Sequence, residues 1–106
     1  MEHLTWSPSE KRIARAAFDR ALDAELAELL AEFKQRVAAL DRPEDMWPLA
    51  AWLREKQRTI DDKYDYRYSQ LPWVFGRLVR EGRVAEDELS GLGDDKLAII
   101  RRVVTL

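Results

Sequence analysis

The residue types that do covalent or metal chemistry are almost missing from this chain. It has one histidine, His3, and no cysteine. His3 precedes the first helix-start signal and stands far in sequence from any partner, so it reads as a surface residue. Without Cys, thiolate chemistry is excluded, and with a single His no zinc site is expected. Asp61, Asp62 and Asp65 form a carboxylate cluster whose three- and four-residue spacings put side chains on one helical face. Arg58, Lys63 and Arg67 intersperse it, which makes it a mixed-charge face. A calcium or magnesium loop needs glycine and closer ligand alternation. The glycines, Gly76, Gly82, Gly91 and Gly93, make no phosphate-binding loop. A serine nucleophile has no base. The reading is of a non-enzyme with no catalytic residue, no metal and no cofactor.

Binding chemistry is better represented. Trp47, Trp52, Tyr64, Tyr66, Tyr68 and Trp73 crowd one stretch of the chain. Trp, Tyr and Arg dominate the energetics of protein interfaces. Trp73 and Phe75 cannot both face a core from one helix. Arg77, Arg80 and Arg83 recur every third residue, either as a solvated helix end or as a contact ridge for an acidic partner.

These residues must be positioned by helices. Ser7-Pro8-Ser9-Glu10 is a capping box with proline at the first helical position. Nothing breaks the helix until Asp41-Arg42-Pro43, so it is expected over 8–40, a rod of about 50 Å. Its large apolar residues, Phe18, Leu22, Leu26, Leu29, Phe33, Val37 and Leu40, are spaced 4, 4, 3, 4, 4 and 3 apart, on one stripe. A compact domain of this size is roughly 30 Å across. The rod overhangs it, and the rest of the stripe needs a second copy or a partner.

A second helix follows Pro43, with Asp45 as expected N-cap, Pro48 in the first turn and Leu49, Leu53, Lys56, Ile60 and Tyr64 on one face. The run Tyr64–Tyr68 ends it. Ser69 is expected to cap a third helix that Gly82 stops. Two short helices, Ala85–Leu89 and Asp94–Val104, complete the chain, with 103–105 open to an extended reading.

The whole sequence, 106 residues with 46% apolar, 36% charged and a net charge of −2, fits one ordered domain with a charged surface. The final 37 residues carry six acids and six bases, which argues against a helix-turn-helix nucleic-acid binder. No apolar run reaches the length of a membrane span, and Met1–Ser7 has no signal-peptide core. The expected location is cytoplasmic.

The chain resembles the fluorescence recovery protein family from Trp6 to Leu106. The resemblance rests on Trp6-Ser7 with Glu10, Phe18, Glu25-Leu26 and Leu29-Leu30. It continues with Trp47, Leu49, Leu53 and Lys56, then the specific block Ile60-Asp61, Lys63-Tyr64-Asp65, Arg67 and Ser69. It ends with Phe75, Leu78, Gly82, Val84, Glu88-Leu89, Leu92, Asp95-Lys96 and Ile100. It implies an all-α homodimer with a long, hairpin-like two-helix stem (1–69) for dimerisation and a small helical head (70–106) for partner binding. It implies Phe33, Val37, Leu40, Trp47, Leu49 and Leu53 at the dimer interface. The implied partner is the orange carotenoid protein of cyanobacteria, or a related carotenoid-binding protein. The family binds its light-activated red form and speeds return to the inactive orange form, without a cofactor, nucleic acid or membrane. The implied partner-binding positions are Trp47, Ala50, Ala51, Gln57, Trp73 and Ile99. At four of them the chain departs from its relatives: Ala50-Ala51 replaces a His-Asp pair, Gln57 an arginine and Ile99 a lysine. The same fold with a different protein partner is therefore the alternative.

Overall fold

A computed structural model describes residues 4–106; His3 lies outside them. The described residues form four α-helices and no strand: α1 Pro8–Ala38, α2 Met46–Lys63, α3 Leu71–Arg80 and α4 Asp94–Val104. Single 3-10 turns, Pro43–Asp45 and Glu86–Leu89, precede α2 and α4. The expected all-α class holds.

The capping box at α1 forms. The Glu10 amide donates to Ser7 Oγ at 3.1 Å, and the Ser7 amide donates to Glu10 Oε1 at 2.9 Å. α1 ends at Ala38, two residues earlier than expected. Leu40 closes a tighter turn, its amide donating to the Val37 carbonyl. Asp45 does not cap α2: it belongs to the 3-10 turn, and its carboxylate accepts from the Arg42 amide at 3.1 Å. α2 ends at Lys63, so Tyr64 lies beyond it. Ser69 is not the cap of α3 either; Gln70 holds that position without a side-chain hydrogen bond. α3 stops where expected. Gly82 has φ 77°, and the Arg83 and Gly82 amides return to the carbonyls of Leu78 and Val79. That is a Schellman closure, which needs the left-handed conformation glycine adopts freely. Residues 103 and 104 are helical.

The chain forms two compact units: residues 4–22 with 64–106, and residues 23–63. α1 therefore contributes its first half to one and its second half to the other. In the first unit, Ala14, Ala17, Phe18 and Ala21 bury one face of α1 at helical spacing. With them lie Leu71, Val74, Phe75 and Leu78 of α3, then Val84, Leu89, Leu92 and Ile100. Phe75 and Leu78 are fully enclosed. α3 and α4 pack so closely that a Cβ on Gly76 would lie 2.5 Å from Val103 Cβ.

Tyr64, Tyr66 and Tyr68 belong to this unit. Phe18 meets Tyr64 and Tyr66 edge-on at 5.4 and 4.8 Å. Tyr68 packs on Tyr66 at 5.7 Å and on Trp6 at 5.5 Å. A helix would turn residues two apart to different sides, so docking both Tyr64 and Tyr66 on one phenylalanine requires non-helical backbone. That is the physical reason α2 stops at Lys63.

The second unit has no apolar core of its own. Within residues 23–63 the only buried side chain is Lys63. Its ammonium donates to Glu25 Oε2 at 2.7 Å and to Oε1 at 2.9 Å. The ion pair links α1 to α2, as does the Arg36 guanidinium, 4.2 Å above the Trp52 ring; Leu29, Phe33, Leu40, Leu49, Leu53 and Ile60 are half-buried.

Candidate interaction surfaces

A helix stripe spaced like that of α1 is expected to be covered. In this chain only part of it is covered. Leu22 packs against the core of the first unit; in the second unit Leu29, Phe33 and Leu40 are half-buried, whereas Leu26, Leu30 and Val37 are exposed. The three exposed residues follow one another at helical spacing, beside the covered row. Leu30 is 53% and Val37 43% exposed. Met46 and Trp47, where α2 begins, are also exposed, Trp47 at 69%. Five large apolar side chains in 41 residues therefore face water in a unit with no buried apolar residue. Exposed large apolar side chains at this density mark a contact surface.

Of the residues the resemblance puts at a dimer interface, Val37 and Trp47 are exposed, while Phe33, Leu40, Leu49 and Leu53 are half-buried. Leu26, Leu30 and Met46 were not among them. The α1 periodicity already contained Leu26; Leu30 lies beside the stripe, and only its exposure in the structure shows that this side is uncovered.

Trp47, Ala50, Ala51 and Gln57 all lie on α2 and are exposed. Ala50 and Ala51 offer no hydrogen-bonding side chain, so this stretch is an apolar shelf beside an indole. Arg54 stands between Ala51 and Gln57, exposed and without an ion pair among the described residues. The spacing of three and four from Ala51 and Ala50 would have found it. Trp73 is exposed on α3 and Ile99 half-buried on α4.

The carboxylate cluster does not assemble. Asp61 and Asp62 are exposed on α2, and Asp65 is bound by the Arg67 guanidinium at 2.6 Å. That hydrogen bond holds the Asp65 carboxyl below the usual aspartate range. Among the described residues no group of three or more His, Asp or Glu is placed to hold a metal ion, and no helix is long and apolar enough to cross a membrane.

The model of a protein family described as photoprotection regulator fluorescence recovery protein matches residues 6–104. The chain belongs to this family. The fluorescence recovery protein of Synechocystis sp. is 37% identical over 101 residues, which span 95% of this chain and 93% of that one. Among solved structures, the fluorescence recovery protein of Fremyella diplosiphon superposes with a TM-score of 0.88 at 37% identity, covering 96% of this chain and all of that one. The Synechocystis structure superposes with a TM-score of 0.87 at 36% identity, with the same coverage. The fold is thus that of fluorescence recovery proteins, and the exposed surfaces above belong to a member of a family of photoprotection regulators.

Proposed function

We propose that this chain is a non-enzymatic homodimeric regulator that binds an orange-carotenoid-protein-like partner and accelerates its return from the active red to the inactive orange form. The observation that carries this reading is the uncovered apolar band Leu26, Leu30, Val37, Met46 and Trp47 on a unit without an apolar core, in a chain that belongs to the fluorescence recovery protein family. A second copy laid along the band removes apolar surface from water at about 25 cal/mol per Å². Residues 1–69 serve as the dimerisation stem and 70–106 as the partner-binding head. The action is allosteric. A regulator that holds one conformation, or the transition between two, better than the other shifts the partner without covalent chemistry. Trp47, Trp73 and the α2 stretch through Ala50, Ala51 and Gln57 form the contact positions, with Ile99 on α4.

The test is binding. Purified chain is mixed with orange carotenoid protein in the dark or under strong light and passed over a sizing column. The reading predicts a complex that is richer under illumination and lost with Trp73→Ala. No complex in either light condition would sink it.

A specific observation favours a second reading, in which the same dimer binds a different protein. Ala50 and Ala51 are exposed yet carry none of the polar groups of the His-Asp pair that the family resemblance implies there. Affinity capture from the source cells separates the two: a Trp73-dependent partner that binds no carotenoid supports the second.

A further inference from the structure

The face of α3 opposite the core is not an ordinary solvated surface. Its inner side is fixed by Leu71, Val74, Phe75 and Leu78, all buried. Gly76 brings α4 against the same helix at Val103. On the outer side Trp73, Arg77 and Arg80 follow one another at four and three residues, one row along the helix, and all three are exposed. Trp73 is 49% exposed although the core does not use it. Arg77 Nε donates to Glu81 Oε2 at 3.0 Å, and Arg83, half-buried past the helix end, shares that carboxylate at 3.6 Å. Arg80 has neither an ion pair nor a side-chain hydrogen bond among the described residues. The row is thus an indole followed by incompletely neutralised guanidinium groups, on a rigidly seated helix of a chain whose net charge is −2.

We propose that this row docks an acidic protein segment, one that lays an apolar side chain on Trp73 and sets carboxylates against Arg77 and Arg80. The proposal rests on the reading above only in that α3 meets a protein; it adds the partner's chemistry and two residues that the contact positions did not include. Charge complementarity selects this occupant. An arginine fork takes a carboxylate bidentately, and Arg80 has its full donor set available. Preorganisation helps, since the helix backbone loses no freedom when the segment arrives. Nucleic acid also likes tryptophan and arginine, but a phosphate backbone needs an extended basic stripe, and this row is a single helix face on a chain whose net charge is −2.

The experiment uses the full chain and a fluorescein-labelled peptide of alternating Glu and Leu, read by anisotropy at low and physiological salt. A labelled oligothymidylate of equal charge serves as the competing probe. The expected result is saturable peptide binding that weakens with salt and drops about tenfold or more in Arg80→Glu. Trp73→Ala weakens it similarly, Arg80→Lys retains most of it, and Arg12→Glu, an exposed charge change on α1, leaves it within about twofold. All three positions are exposed, so helical circular dichroism is expected to be unchanged. The proposal is overturned if the peptide fails to bind, if folded Arg80→Glu binds like the parent, if Arg12→Glu loses as much, or if oligothymidylate binds as tightly through the same residues.

Discussion

Lys96 Nζ lies 3.1 Å from Glu10 Oε2, joining residues 86 apart in sequence inside the first unit. Glu10 is shared between two helix starts. One oxygen completes the capping box of α1 at Ser7, and the other accepts from the Gly93 amide at the N-cap of α4 at 2.7 Å. Lys96 also donates to the Thr5 carbonyl. One carboxylate thereby fixes the relative placement of α1 and α4.

Acid stability follows from this carboxylate. Burial alone pushes the Glu10 carboxyl up, but the Ser7 and Gly93 amides and the Lys96 ammonium outweigh it and hold it at about 2, against 4.5 in an unstructured chain. A depressed folded-state pKa means that its contribution to stability is fully present above about 4.5 and is lost as pH falls toward 2. Urea unfolding between those limits is predicted to show stability falling with acid, and Glu10→Gln to flatten that part of the profile. An unchanged slope would show that other carboxylates dominate.

The Lys63–Glu25 pair is predicted to matter more than a surface ion pair. Both groups lie away from water, the side chains 4% and 13% exposed. Lys63→Ala leaves Glu25 without its ammonium and should cost about 3 kcal/mol in chemical denaturation. The joint change Lys63→Met with Glu25→Leu should recover much of that, because an apolar pair removes both desolvation costs. A joint variant no more stable than Lys63→Ala would contradict this account.

The α3–α4 contact predicts a compensating pair. Gly76→Ala sets a methyl against Val103 Cβ and Cγ1, at 2.5 and 2.6 Å, and neither helix can yield by rotating a flexible side-chain end. Overpacking of this kind costs about 1–3 kcal/mol. Adding Val103→Ala should restore a substantial part, read as the shift in melting temperature relative to Val103→Ala alone.

Dimerisation is predicted to depend on the exposed band rather than the covered stripe. Leu30→Glu and Val37→Glu change side chains that already face water in the single chain, so helix content is expected to persist while light-scattering mass falls from dimer to monomer. Leu40→Glu strikes a half-buried residue and is expected both to dissociate and to destabilise. Retained dimer mass in Leu30→Glu would move the interface elsewhere.

Much of this fold was legible because its signals are local. The Ser7–Glu10 box, the glycine-free run after it and Gly82 each act within a few residues, and each appears where the spacing put it. The misplaced boundaries, at Asp45, Ser69 and the end of α1, are those where a 3-10 turn or an uncapped start replaced the expected geometry. Long-range packing was not legible. Nothing in the pattern said that Tyr64, Tyr66 and Tyr68 would gather on Phe18 and Trp6, or that Phe33 would be half-buried while Leu30 stays bare, because both depend on which side of α1 the returning chain meets. The candidate contact residues on α2 came from family resemblance; their exposure, and that of Arg54 beside them, needed the fold.

Regulation of a carotenoid protein is measured most directly in the dark recovery of orange carotenoid protein after illumination, followed by loss of red absorbance. With the chain in molar excess, the account predicts faster return to the orange form, slowed again by Trp73→Ala. A recovery rate unchanged at high excess, with the chain folded and dimeric, would contradict it.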